Sequence, residues 1–279
     1  MNSRIKKATS LAQAGEGGFQ VISLAIVREM AAAEGLAVRE FEAELLDNGL
    51  VPLRYLRNIG TLGMDGQAKL LRSSAAVLGC GGLGGWITEL LARAGVGRLV
   101  LIDGDVFSES NLNRQALCTE ANLGQNKAET AAARVRAINS AVEAVPNPVM
   151  MTEGNAEALL GKNSIVFDAL DNFPSRLILH KASKSLGIPM VHGAIAGWMG
   201  QVCVSAPVVE TLAAIWQGKV DKGFEKGFET SVGTPGFTPS TTASLQVALG
   251  IRMLLGKGNA EPELSCLNLE GPALDRILM

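Results

Sequence analysis

The chain has 279 residues, of which 47% are hydrophobic and 19% charged, a composition that supports a large core and excludes a mostly disordered chain. Lys+Arg number 25 against 27 Asp+Glu, a net charge of −2, so there is no basic surplus to neutralise a phosphate backbone and nucleic acid is not the expected partner. The 32 glycines, set against 8 Phe, 3 Trp and 1 Tyr, point to tight backbone turns rather than aromatic stacking platforms.

The length suits one α/β domain plus a small extension. Residues 1–10 read as a frayed basic terminus. Residues 19–34 and 37–48 read as helices, the second with Phe41, Leu45 and Leu46 at helical spacing and Gly49 as its stop. Pro52 closes this unit, so 1–52 is expected to be a helical N-terminal extension and 53–279 the main domain. Residues 54–71 read as helical segments broken by Gly60, Gly63 and Gly66. The apolar run 75–78 then leads into Gly79-Cys80-Gly81-Gly82-Leu83-Gly84, an apolar helix from Trp86 to Ala94, and a second apolar run, 98–102, ending at Asp103. Strand, glycine turn, helix, strand and acid form the βαβ unit of a nucleotide-binding fold.

The alternation continues with a helix over 124–139, an extended segment over 145–151, a short helix over 155–161 and a strand over 164–169. A helix over 175–186 follows, then strands over 189–192 and 200–206, an irregular stretch over 209–237 and a closing helix over 241–255. The order predicts a mainly parallel sheet covered by helices. The apolar stretch 186–209 contains Pro189, His192, Gln201 and Pro207, so no membrane-spanning helix is expected there. Residues 13–18 and Arg28-Glu29 interrupt the only stretch that imitates a signal peptide. Cys80, Cys118, Cys203 and Cys266 include no Cys-x-x-Cys pair, so zinc is not expected. Scattered cysteines suit a reducing, cytoplasmic compartment.

The glycine loop at a helix N-terminus is an anion site, and Asp103, nineteen residues past Gly84, stands where ribose hydroxyls are held. Arg114 and Lys127 add two cations, which a displacement on a triphosphate needs and a hydride transfer does not. Asp171, after an apolar strand, is a carboxylate suited to Mg²⁺, or else, with Asn172, a cap for the next helix.

The order of these motifs is specific. The glycine loop, Asp103-Gly104-Asp105, Ser110-Asn111-Leu112-Asn113-Arg114-Gln115, Gly124-Gln125-Asn126-Lys127 and Leu170-Asp171-Asn172 resemble the ThiF/MoeB/HesA adenylyltransferases, relatives of the ubiquitin-activating enzymes. Arg54-Tyr55-Leu56-Arg57, Gly66-Gln67, Gly193-Ala194, Gly200-Gln201 and Ser244-Leu245-Gln246 extend the likeness over about 54–256. The resemblance implies an α/β fold, a Rossmann-like, mainly parallel sheet flanked by helices. It implies use of ATP and Mg²⁺ to adenylate the C-terminal glycine of a ubiquitin-like sulfur-carrier protein ending in Gly-Gly. Carried over by motif, Gly79, Gly81, Gly82 and Gly84 would line the nucleotide. Asp103 would hold the ribose, and Asp105 and Ser110 would also bind the nucleotide. Asn111, Arg114, Gln115 and Lys127 would contact the phosphates, and Asp171 would hold Mg²⁺. Arg57 would reach into a partner's site in a homodimer.

Two family features are missing. There are no zinc-binding cysteine pairs, and 207–240 contains no cysteine, so no thioester step is expected. Cys203 sits in an alternating strand and reads as structural. Trp216, Phe224, Phe228 and Phe237 would clamp a carrier tail or simply pack their loop on the sheet. His180 and His192 read as structural or supporting. A nicotinamide or flavin oxidoreductase and an inactive scaffold of the same fold stay open as alternatives.

Overall fold

The computed structural model describes residues 2–205, 229–258 and 263–278. In the first fifty residues, helices α1 (Ser3–Leu11), α2 (Leu24–Ala33) and α3 (Val38–Asp47) pack on a small sheet of β1 (Gln13–Ala14), β2 (Gln20–Ile22) and β3 (Leu50–Pro52). Ile5, Ile22, Val27, Phe41 and Leu45 form its core. Two expectations are corrected. The basic terminus is not frayed: the Asn2 side chain accepts the Ile5 N–H at 2.9 Å, and Ile5 and Ala8, one turn apart, are buried. Residues 19–34 are not one helix: the β-branched pair Val21-Ile22 lies in β2 beside β3, and Ser23 caps α2. Helix α4 (Leu56–Arg72) is interrupted at Gly63 alone, where φ is +73°.

The main sheet has eight strands in the order β6-β5-β4-β7-β8-β9-β10-β11. These are β4 (Ser74–Leu78), β5 (Arg98–Ile102), β6 (Glu143–Asn147), β7 (Ile165–Asp168), β8 (Met190–Ala196), β9 (Met199–Ser205), β10 (Glu263–Asn268) and β11 (Ala273–Leu278). The first five in spatial order, β6 to β8, are parallel; β9, β10 and β11 add antiparallel neighbours. The period of two divides β4 between two cores: Ala75 and Val77 face one side, Ala76 and Leu78 the other. Helices α5 (Gly82–Ala94), α6 (Lys127–Ile138) and α10 (Phe237–Leu254) contribute to the first core, α7 (Ala156–Leu160) and α8 (Phe173–Leu186) to the second. A short α9 (Glu229–Val232) precedes α10.

Beyond the predicted elements, β10 and β11 form an antiparallel hairpin at the sheet edge. Every residue of β11 is exposed, so no alternation marks it. Helix α10 comes unusually close to the sheet: a Cβ on Gly193 would lie 2.3 Å from the Gln246 side chain. The chain runs from β4 outward to β5 and β6, then returns to β7 on the other side. The strand order therefore reverses between β4 and β7, which opens a crevice at their C-terminal ends. No helix among the described residues is long and apolar enough to cross a membrane.

Candidate active site

A cleft of about 470 Å³ fills that crevice, within the range of small-molecule sites. Its floor is the glycine loop. Gly79 leaves β4 with φ +86°, and a Cβ there would lie 2.7 Å from the Ala169 carbonyl oxygen. A Cβ on Gly84 would lie 1.7 Å from the Gly79 carbonyl oxygen, so the loop closes only on glycine. Helix α5 starts at Gly82 with Gly81 as N-cap and no capping side chain among the described residues, so its first N–H groups are available to the cleft as an anion cradle.

Asp103, at the end of β5, is fixed from two sides. Its Oδ2 accepts the Cys80 N–H at 2.7 Å and its Oδ1 accepts the Asp105 N–H at 2.9 Å. Burial pushes its carboxyl up, while these bonds and the Lys127 charge pull it back. Lys127 opens α6 beneath the Asn126 cap and is nearly buried, with Nζ 3.2 Å from Asp105 Oδ2. Asn126 also donates to the carbonyls of Asp103 (3.2 Å) and Asp105 (3.0 Å), joining the two acidic residues to the start of α6.

Arg114 lines the cleft. Its Nη1 donates to the Ser110 carbonyl (2.8 Å) and to Asn113 Oδ1 (2.9 Å). Gln115 is buried beside Gly81, and its Oε1 has no hydrogen-bond partner among the described residues, which leaves an acceptor available at the cradle. Asn111 and Ser110 are not among the lining residues. Asn111 Oδ1 accepts the Ser108 N–H at 3.1 Å, and the Ser108 and Ser110 hydroxyls lie 3.1 Å apart, so both shape the turn that presents Arg114. Asp171 faces the cleft from the loop after β7, and Asn172, not Asp171, caps α8 by accepting the Ser175 N–H at 2.9 Å.

Under this loop lies a buried cluster around Asp168; in the sequence His192 reads as structural or supporting and Gln246 as a motif residue, but Asp168 and Arg176 carry no assigned role. Asp168 is fully buried; its Oδ2 meets His192 Nδ1 at 2.6 Å and Arg176 Nε at 3.6 Å. Burial acts to raise the Asp168 carboxyl, but Arg176, His192 and the Leu170 N–H outweigh it and hold it below its usual range. Burial pushes the His192 imidazole down, so it sits neutral and donates to the carboxylate. Gln246 donates to the Asp168 carbonyl at 3.0 Å and the Val191 carbonyl at 3.3 Å, which explains the close approach of α10 at Gly193. The sequence carried one further signal for this cluster: Arg176 sits in the first turn of α8, where the helix dipole disfavours a cation unless something compensates it.

Arg57 is exposed and paired with Glu16 at 2.8 Å, away from the cleft. Burial raises all four thiols, Cys80 well above the usual range and Cys203 to about 12, so none is a ready thiolate at neutral pH. Phe237 stacks near Trp198, with ring centres 4.6 Å apart. Trp216, Phe224 and Phe228 lie outside the described residues.

Comparison with known proteins agrees with this architecture. The chain is 41% identical over 156 residues to the SAMP-activating enzyme E1 of Haloferax volcanii, covering 55% of this chain and 58% of that one. It is 41% identical over 153 residues to the sulfur carrier protein adenylyltransferase of Thermus thermophilus, covering 54% and 56%. It thus spans little more than half the length of these relatives. The crystal structure of Escherichia coli MccB with ATP superposes with a TM-score of 0.67 at 20% identity, covering 81% of this chain and 70% of that one. This likeness is one of fold. The sequence model of the ThiF family matches residues 55–277, most of the chain including every cleft residue described above, and on that match the chain belongs to the ThiF family.

Proposed function

We propose that this protein is an ATP-dependent adenylyltransferase that activates the C-terminal glycine carboxylate of a ubiquitin-like sulfur-carrier protein. The observation that carries this reading is the convergence of three features on one cleft: an uncapped helix N-terminus behind a glycine loop, the cations Arg114 and Lys127, and the facing carboxylate Asp171. The names of the two relatives, an activating enzyme and a sulfur carrier protein adenylyltransferase, support the same chemistry, and ATP is bound in the MccB structure of the same fold.

The glycine loop and Gln115 receive the nucleotide, and Asp103 accepts hydrogen bonds from its ribose. The carrier's carboxylate is already ionised at neutral pH and needs no general base. It attacks the α-phosphorus; the bond to the β-phosphate oxygen breaks, and pyrophosphate leaves with the electron pair. Arg114 and Lys127 stabilise the charge that builds during this displacement. Asp171 fits a Mg²⁺ site of the kind that takes one carboxylate and completes its shell with phosphate oxygens. Among the described residues no set of three His, Cys, Asp or Glu stands together to hold an ion unaided. Bound there, the ion would neutralise triphosphate charge.

The raised thiols favour an acyl-adenylate product without a thioester step. The exposed Arg57 suits a contribution across a homodimer interface, a cytoplasmic location suits the free cysteines, and residues 1–52 are taken as an extension packed on the adenylation domain 53–279, with which they share a core. Exchange of radiolabelled pyrophosphate into ATP tests the reading, with each Gly-Gly-ending carrier supplied in turn. Exchange that depends on one carrier and is lost in Arg114→Ala supports it. ATP binding without exchange for any carrier overturns it.

A further inference from the structure

We propose that Arg176 is a positioning residue that aims Asp171 into the cleft, rather than only a partner for the buried Asp168. The argument turns on one peptide unit. Leu170 is pinned at both ends: its N–H donates to Asp168 Oδ1 at 3.0 Å, and its carbonyl accepts from Arg176 Nη2 at 2.6 Å. That carbonyl belongs to the planar peptide whose nitrogen is Asp171, so gripping it fixes the plane on which Asp171 enters. The same Nη2 lies 3.3 Å from the Gly193 carbonyl, anchoring the grip to β8. On the far side Asn172 is held as the cap of α8. Among the described residues, the one hydrogen bond to the Asp171 side chain is the 3.3 Å contact from Asn172 Nδ2 to its Oδ1. Its direction is therefore set by its neighbours, and the strongest of those restraints passes through Arg176.

The inference rests on the proposed role of Asp171. Calorimetric ATP binding with excess Mg²⁺ and with EDTA separates the two claims. The proteins compared are wild type, Asp171→Ala, Arg176→Ala, Arg176→Lys and the double alanine variant, each checked for cooperative melting. Residues that orient a metal ligand typically carry ~10–100-fold in metal affinity. Arg176→Ala is accordingly expected to lose about tenfold or more of the Mg²⁺-dependent gain in ATP affinity. Its affinity in EDTA should stay at the wild-type value, and the double variant should bind no worse than Asp171→Ala. Arg176→Lys keeps the charge but has one nitrogen where Arg176 uses two, Nε toward Asp168 and Nη2 on the two carbonyls, so it should fold and show a smaller loss of the same kind. If Arg176→Ala does not melt cooperatively, Arg176→Lys is judged by the same criteria.

Equal weakening in EDTA and Mg²⁺ would reveal a merely structural role and overturn the inference. So would a retained Mg²⁺ gain, or losses that multiply in the double variant. If wild type gains nothing from Mg²⁺, the reading of Asp171 falls, and this inference falls with it. If only the Arg176 variants disobey, the inference falls alone.

Discussion

Two buried polar clusters hold this molecule together, and they treat their carboxylates in opposite ways. At the junction of the N-terminal unit, Glu42 of α3 is fully buried; Arg54 Nε lies 3.2 Å from Oε1 and the Tyr55 hydroxyl 3.2 Å from Oε2. Asn139 completes the set, donating to Tyr55 at 2.9 Å and to the Ala92 carbonyl at 3.0 Å, and receiving a hydrogen bond from Arg54. Under the cleft, Asp168 has Arg176, His192 and a backbone N–H. Glu42 is pushed up to about 7 by burial that its partners do not offset, whereas Asp168 is held down. Burial favours the neutral acid in both places; at Asp168 the Arg176 charge, then His192, with the Leu170 N–H adding least, outweighs it, and at Glu42 the partners do not.

The comparison assigns the first cluster to cohesion and the second to the cleft, and mutation can break that assignment. Arg54→Ala should give the largest change, about 3–5 kcal/mol of lost stability in urea titration at about pH 8, because there it strands a buried carboxylate. Exchange activity per folded molecule should stay near wild type. A folded Arg54→Ala protein with no exchange would place the junction within the active machinery. Lys127→Ala should behave in reverse. Its partner Asp105 is 63% exposed, so the lost pair costs little stability. Pyrophosphate exchange should nonetheless fall ~10²–10³-fold, the usual penalty for removing one stabiliser of developing charge. Unchanged exchange in Lys127→Ala would remove that residue from the site.

These clusters also show what could be read from the sequence. Asp103, Arg114, Lys127 and Asp171 were legible because each follows a local signal: a strand end, a loop motif or a helix start. The structure gathers all four on one cleft. Arg54-Tyr55 and Gly66-Gln67 were legible only as parts of a resemblance. Their work is local packing at the junction, where Gln67 donates to the Ala94 carbonyl at 2.8 Å. Arg176 shows in the sequence only as a misplaced cation and Gln246 only as part of a motif; what each one does is not legible, for a different reason. Both act through backbone carbonyls: Arg176 on those of Leu170 and Gly193, Gln246 on that of Asp168, 78 residues away, and no spacing along the chain encodes such partners. The all-exposed β11 left no alternation to read, and α1 was hidden because two buried residues, Ile5 and Ala8, outweigh its charged surface.

A pH titration of stability sharpens the contrast with the smallest effect. In the unfolded chain Glu42 titrates near 4.5, and in the fold near 7. Between those values the folded state keeps a proton that the unfolded state has released. Its contribution to stability is therefore full below about pH 4.5. It falls by up to about 1.4 kcal/mol per pH unit through the window and levels off above pH 7, a total of about 3 kcal/mol. Asp168 has the opposite sign and a different window: its contribution is present above its unfolded value of 3.8 and lost only as pH falls through its lower folded value. His192, held below 6.5 in the fold, opposes Glu42 inside the window, but it does so equally in wild type and in Glu42→Gln. The difference between those two proteins, measured by urea denaturation at about pH 5 and about pH 8, isolates Glu42. Wild type should lose ground to Glu42→Gln by up to about 3 kcal/mol as the pH rises. A difference that stays constant would mean that Glu42 is ionised in the fold just as Asp168 is. Arg54 and Tyr55 would then be supplying as much to their carboxylate as the cleft cluster does, and the distinction between the two sites would have to rest on position alone.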